Sequence, residues 1–313
     1  YYNLNNTKIY QDYKKLISEN KNVLDVIIIV TPTFDHYKII NHLSKFNIPI
    51  ISEKPLVSSL KEIDLLKRKI DNKKILTVYN YSCYPAIKNI KEEISKGSIG
   101  KINKILLDYN LDSFINSNSR PRKWRLKDKK VPTILLDLGC HIFQMIYFLT
   151  DLKPLSVVSS FNSLGVYKKL IDNCSCLFKI GNKIEGIISI SKTDVGNKNG
   201  LSFKIIGDKG SVEWSNTTPE NYILSKLNQK ILVDRSHFNK KIQNRYSRFK
   251  PGHPEGFLEG FANMYRDFYE IIKSKKMNKH SKYFDFKLSY HCQQFLNCIA
   301  ISFKSKKWVK IIY

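Results

Sequence analysis

The sequence predicts an α/β protein: a doubly wound parallel unit followed by an α+β domain built on a large, mostly antiparallel open sheet. Three observations predict it. β-Branched runs alternate with amphipathic segments over residues 26–78. Short strands separated by turn signals dominate residues 102–233. Within this second stretch lies an apolar, helix-length run, 131–150, that contains Asp137 and His141.

Val26–Val30 (VIIIV) has the continuous β-branched character of a strand buried on both faces. A helix-like segment follows at Tyr37–Phe46, then an apolar strand at Ile48–Ile51. Ser58–Ile70 is amphipathic, with Ser58 or Ser59 as N-cap and Glu62 in the first turn. Lys74–Val78 is the third strand. Strand, helix, strand, helix, strand with short turns makes a parallel unit.

Such sheets bind ligands at the carboxyl ends of their strands. Here those ends read Thr31-Pro32-Thr33, Ser52-Glu53-Lys54-Pro55 and Tyr79-Asn80, three polar clusters that form one expected site. Lys54 is held between Glu53 and Pro55, so its charge is countered by Glu53 or by a cofactor; a surface salt bridge is the plain alternative. His36 stands where a helix begins, open to capping, packing or ligand contact.

From Ser82 the pattern changes, which divides the chain into 1–81 and 82–313. Pro85–Lys96 is a helix with Ile87, Ile90 and Ile94 on one face. Strands are expected at Ile102–Leu111, Leu155–Phe161, Cys174–Ile180, Ile184–Ser191, Leu201–Ile206, Ser211–Trp214 and Ile231–Val233. A helix at Asp285–Lys304 and a short strand at Val309–Tyr313 end the chain. An antiparallel sheet can leave one face for another subunit, so a homo-oligomer, dimer or tetramer, is expected.

Four residues separate Asp137 from His141, which puts both on one helix face. A carboxylate and an imidazole in so apolar a segment are either a mutually satisfied core pair or working groups. The loop 120–130 before them has no apolar period. In it Trp124 can pack on a sugar ring and Arg125 can hold a carboxylate or phosphate, or the loop is simply solvated. His253, in Pro251-Gly252-His253-Pro254, either reaches the substrate or stiffens a helix entry.

The chain carries 53 Lys and Arg against 27 Asp and Glu, a net charge of +26. The excess is mostly Lys and runs along the whole sequence, which points to an anionic small molecule rather than to nucleic acid. No apolar run is long enough for a bilayer and no secretory leader opens the sequence, so a cytoplasmic protein without a membrane partner is expected. The six cysteines lack metal-ligand spacing and read as reduced thiols, with no metal.

Taken in order, T-P-T-x-x-H at 31–36, E-K-P-L at 53–56 and D-x-G-x-H at 137–141 form a series that resembles the Gfo/Idh/MocA oxidoreductases. SKGSIGKI (95–102), KWR (123–125) and GHPEGFLEGFANMYR (252–266) extend the likeness over nearly the whole chain. The resemblance implies a Rossmann-type sheet for NAD or NADP, an open antiparallel second domain, and a C-terminal segment packed back toward the first. It implies reversible hydride transfer on a sugar or polyol. Lys54 would then touch both nicotinamide ribose and substrate oxygen, His141 would be the acid/base, and Asp137 its orienting or substrate-binding neighbour. Thr31, Pro32, His36 and Glu53 would line the cofactor, with Asn80 at the third strand end. Trp124, Arg125 and His253 would face the substrate.

The chain departs from the family pattern in two places. No G-x-G occurs, so the sequence is expected to begin about one βαβ unit late, roughly 40 residues short, with the phosphate-binding turn in that preceding unit, and it does not choose between NAD and NADP. Val131-Pro132-Thr133 replaces a glycine run. The basic segments at 120–125 and 245–248 favour an anionic, nucleotide-activated sugar, and the RLKDKKVPT and NGLSFKIIG stretches resemble polysaccharide-linked members. Inositol or a free sugar is the alternative substrate, and a non-catalytic sugar- or nucleotide-binding protein the alternative class.

Overall fold

A computed structural model describes residues 7–70, 74–116, 121–274 and 280–313. Arg120 and the side chain of Trp124 lie outside the described residues.

Three strands, β1 (Ile27–Ile29), β2 (Ile50–Ser52) and β3 (Ile75–Thr77), pair in parallel in the order β1-β2-β3. The helices α1 (Tyr13–Asn20), α2 (Thr33–Leu43) and α3 (Leu60–Lys67) pack against them. The α3 N-terminus is built as its sequence asks: Ser59 Oγ accepts the Glu62 N–H at 3.3 Å, and Glu62 Oε2 accepts from the Ser58 N–H and hydroxyl. β2 and β3 are buried throughout. β1 is not, contrary to the expectation from its sequence: Ile28 is 48% exposed, whereas the other edge strand of this sheet, β3, is covered by α8 (Phe286–Ser305).

The second sheet has nine strands: β4 (Ile102–Asn110), β5 (Ser156–Asn162), β6 (Asn173–Ile180), β7 (Ile184–Ser191), β8 (Gly200–Gly207), β9 (Ser211–Ser215), β10 (Tyr222–Lys226), β11 (Gln229–Val233) and β12 (Val309–Lys310). Their order is β11-β10-β9-β8-β4-β7-β6-β5-β12. All neighbours are antiparallel except β4 and β7. That one parallel pairing brings the carboxyl ends of β4 and β7 to the same edge of the sheet. Gly186 is a packing requirement, since a Cβ there would fall 1.9 Å from the ring of its cross-strand partner Phe178.

The inner face of this sheet is covered by α4 (Pro85–Ser95), α5 (Cys140–Thr150) and α8 (Phe286–Ser305). Phe143, Phe178 and Phe295 are completely buried among them, each worth about 1.5–3 kcal/mol relative to exposure. Two further helices, α6 (Lys240–Tyr246) and α7 (Phe257–Lys273), pack on α4 and on the turn Asn80–Cys83 that leaves β3. A buried Lys88–Asp267 pair at 3.1 Å, joined by Arg245, ties α4, α6 and α7 together. Arg245 is thereby spent on the scaffold, and Arg248 donates to Asn263 at 2.9 Å; neither lines the cavity described below.

Asp285 caps α8, accepting the Leu288 N–H at 2.8 Å. Its neighbour Phe284 accepts the Thr77 N–H at 2.7 Å, and Ser289 shares a 2.7 Å hydrogen bond with the Thr77 hydroxyl. The C-terminal helix is therefore bonded to β3 of the small sheet, and the strand ends of that sheet face the second one.

Candidate active site

Lys54 follows β2 and points across to the segment between the sheets. Its Nζ donates to the Asp137 carbonyl oxygen at 2.6 Å and to Asp137 Oδ1 at 3.1 Å. Glu53 does not hold this ammonium; its carboxylate accepts the Lys54 backbone N–H at 3.3 Å. The other carboxylate oxygen of Asp137, Oδ2, is approached by Lys192 Nζ at 2.7 Å and by Arg125 at 3.3 Å. One carboxylate thus faces three cations.

The segment carrying Asp137 is helical but not uniformly α. Leu135–Gly139 forms a π turn that leads directly into α5. Asp137 and His141 are not a mutually satisfied pair: Asp137 faces cations, and the His141 ring has no hydrogen-bond partner among the described residues. The π turn lets a single residue present both its carbonyl and its carboxylate to Lys54. The loop before it is pinned by Asp128, which accepts the Thr133 N–H at 2.7 Å and the Ile171 N–H at 2.8 Å.

His141 is 7% exposed and stands among three tyrosines. Ring centroids of Tyr81, Tyr79 and Tyr109 lie 5.1, 5.9 and 5.9 Å from the imidazole. The Tyr81 and Tyr109 hydroxyls share a 2.9 Å hydrogen bond, and Asn199 Nδ2 donates to Tyr81 at 2.9 Å. Burial, with the Lys54 charge, holds His141 well below the ordinary histidine range, so the ring is neutral near pH 7. For Asp137 burial works toward a raised value, but Lys54, Lys192 and Arg125 outweigh it and hold the carboxyl well below the carboxylate range. Burial opposes the charge on Lys54 as well, and Asp137 outweighs it to raise the ammonium.

A cavity of about 250 Å³ opens at the carboxyl ends of β1 and β2. Thr31, Pro32, Glu53, Lys54, Arg125 and Asp137 line it, and Arg122, Lys127 and Lys129 add further cations to its wall. Asn80 is buried just past β3, with its amide nitrogen unpartnered. His36 is placed differently: it is fully buried, and its ring nitrogens lie 3.1 Å from the Pro55 carbonyl and 2.9 Å from that of Thr31. It braces two loops of the site from behind. His253 is exposed on its turn and is not part of the cavity lining.

Lys192, Tyr81, Tyr109 and Asn199 were not legible as site residues. Lys192 is the first residue after β7, and Tyr109 lies near the end of β4, so the parallel β4–β7 pairing brings both to one edge. A lysine closing an apolar strand is the signal; the topology that aims it is not local.

Comparisons with known proteins give the family and the fold. Residues 2–81 match the family described as oxidoreductase, NAD-binding Rossmann fold, and residues 87–213 match the GFO/IDH/MocA C-terminal domain, together more than half of the chain. An uncharacterised oxidoreductase YfiI of Bacillus subtilis is 26% identical over 283 residues, 86% of this chain and 72% of that protein. Glucose-6-phosphate 3-dehydrogenase of the same organism is 25% identical over 69% of this chain and 63% of its own length. Among solved structures, an inositol dehydrogenase homologue from Azotobacter vinelandii, complexed with NADH and myo-inositol, superimposes with a TM-score of 0.87. It is 20% identical, and the match covers 96% of this chain and 82% of that one. The chain belongs to the GFO/IDH/MocA family of oxidoreductases, whose N-terminal domain binds NAD.

The residues present suit the nicotinamide end of such a cofactor: polar strand ends lining a cavity, a pinned lysine, and a buried amide N–H without a partner. The sequence contains no G-x-G, so phosphate contacts are not assigned to residues of this chain.

Proposed function

We propose that the protein is an NAD(P)-dependent dehydrogenase that reversibly oxidises a secondary alcohol of an anionic sugar. The observation that carries this reading is the Lys54–Asp137 pair lining the cavity, with a neutral, unpartnered His141 behind it that feels the charge of both without lining the cavity itself. When bound, the nicotinamide supplies the redox chemistry by accepting the hydride that leaves the substrate carbon. Thr31, Pro32, Glu53, Lys54 and Asn80 are the residues that would hold its reactive end.

A neutral imidazole is ready to take the hydroxyl proton, and His141 gives it back in the reverse direction. Lys54 donates to the reacting oxygen and stabilises the negative charge that develops there. Asp137 anchors Lys54 and orients the substrate. The Tyr79, Tyr81 and Tyr109 rings exclude water around His141.

The anionic substrate is supported by the cavity wall, where Arg122, Arg125, Lys127 and Lys129 outnumber Glu53 and Asp137. One relative in the comparison is named for a phosphorylated sugar. A nucleotide-activated sugar of polysaccharide synthesis has the same charge character. Six free thiols suit a reducing compartment such as the cytoplasm, and no described helix is long and apolar enough to cross a membrane. Half-exposed Leu177 and Ile187 on the outer face of the large sheet suit association with a second copy.

Fluorescence titration with NADH and NADPH, followed by turnover of phosphorylated, nucleotide-linked and neutral sugars, tests the reading. Reduced-cofactor binding with preferential turnover of the charged sugars is expected. Preference for neutral polyols would replace the anionic substrate with inositol or a free sugar. Sugar binding without any redox turnover would overturn the dehydrogenase.

A further inference from the structure

We propose that Lys192 is a positioning residue that keeps the Asp137 carboxylate ionised and fixed, leaving Lys54 free to serve the substrate oxygen. The proposal deepens the dehydrogenase reading and rests on its assignment of Asp137 to the site.

The placement of Lys192 is over-determined. Its backbone N–H donates to the Asp172 carbonyl at 2.8 Å, and its own carbonyl accepts the Phe114 N–H at 2.8 Å. Its ammonium lies over the Phe114 ring, 4.9 Å from the centroid, and 2.7 Å from Asp137 Oδ2. Asp172, fully buried, is itself locked by the N–H groups of Leu164 and Gly165 at 2.9 and 2.8 Å. The loops after β4 and β5 therefore close around Lys192 and fix where its side chain starts.

Three cations share Asp137, but they are not equivalent. Lys192 is 5% exposed at its side chain, Lys54 18% and Arg125 41%. Arg125 is screened by solvent and lies farthest from the carboxylate. Lys54 is divided between the carbonyl and Oδ1 of Asp137, and in the proposed reaction it must also reach a substrate oxygen. When it does so, the contact that remains short and dry is Lys192 to Oδ2. The other ionisable groups near the carboxylate, Tyr109, Cys140 and His141, cannot supply a cation at neutral pH.

The test reads Asp137 directly and needs neither substrate nor cofactor. Aspartate labelled with ¹³C at the side-chain carboxyl is titrated by NMR, and the Asp137 resonance is assigned by its absence in Asp137→Asn. In wild type the resonance stays at its ionised position well below pH 4. In Lys192→Met its midpoint rises by a unit or more, about tenfold in proton affinity. Lys192→Arg restores the wild-type curve, and Arg125→Gln moves the midpoint less than Lys192→Met does. An unchanged midpoint in Lys192→Met, or a larger shift in Arg125→Gln, overturns the proposal. Should Lys192→Met fail to fold, the double variant Lys192→Met/Asp137→Asn decides. Folding no worse than that of Asp137→Asn is expected, because the carboxylate and Lys192 go together and Lys54 alone is left facing the amide; failure where Asp137→Asn folds shows that Lys192 matters only for packing. A loss of dehydrogenase activity with the NMR result intact would instead count against the proposed reaction.

Discussion

Lys54 Nζ lies 2.6 Å from the backbone carbonyl of Asp137 and 3.1 Å from its Oδ1, across 83 residues of sequence. A single ammonium thus joins the strand ends of the small parallel sheet to the helical segment that opens α5. Everything expected of the site chemistry depends on that bridge, because it sets the height of Lys54 and the charge of Asp137 together.

Asp137→Asn should leave Lys54 and Lys192 as buried cations facing an amide. Removing one partner of a buried pair costs about 3–5 kcal/mol, and the 16% exposure of Asp137 places the change near the lower end. Urea unfolding at pH 7 measures it. The folded-state carboxyl titrates below its unfolded value near 3.9. Its contribution is therefore complete above about pH 4 and is lost as pH falls through the depressed value. The stability gap between wild type and variant should hold from pH 7 to 5 and narrow below 4.

His141 carries the opposite charge bookkeeping to an ordinary surface histidine. Its folded pKa is depressed, so below the unfolded value near 6.5 the unfolded chain takes up a proton that the folded ring refuses. Wild-type stability should fall as pH drops below 6.5, and His141→Gln should flatten that slope. By the same sign, kcat/KM for alcohol oxidation should show no loss of base at pH 6.5; its acid limb belongs at lower pH.

His36 should behave as a brace. Its replacement by Ala takes away the ring that lies against the buried Pro55 carbonyl and the more exposed Thr31 carbonyl, and should cost about 1–3 kcal/mol. The loosened loops carry Lys54, so turnover should fall along with thermal stability. A variant with lower turnover and an unchanged unfolding curve would assign His36 a direct part in the site.

An anionic substrate should bind less tightly as salt rises. Between low ionic strength and about 0.5 M salt, KM for a phosphorylated sugar should increase while that of a neutral polyol stays nearly constant. Arg125→Gln should reduce the difference, since Arg125 is the half-exposed cation at the cavity wall.

Much of this molecule is legible in its residues. The polar ends of the three parallel strands, Lys54, Asp137 and His141 stand out because polar groups in apolar runs are costly and therefore informative. The caps at Ser59 and Asp285 follow from local chemistry. What escaped reading is what topology decides. The strand Tyr222–Lys226 and the helix Lys240–Tyr246 have no strong local period, and their places come from the neighbours they cover. The π turn is invisible to a spacing argument that assumes 3.6 residues per turn. Lys192 and Tyr109 come to one edge because β4 and β7 run parallel inside an otherwise antiparallel sheet, and there Tyr109 meets Tyr81 from the turn after β3 and, through it, Asn199 from the turn before β8.

The central claim is that His141 moves the substrate proton at a nicotinamide-dependent site. Its most direct measurement is the rate of NAD(P)H formation with the charged sugar turned over best by wild type, compared between wild type and His141→Ala, with coenzyme affinity measured in parallel. The account predicts that the variant loses about 10²–10⁴ in turnover, the usual contribution of a general base, while its coenzyme Kd stays within about threefold. Equal turnover in the two proteins would contradict it.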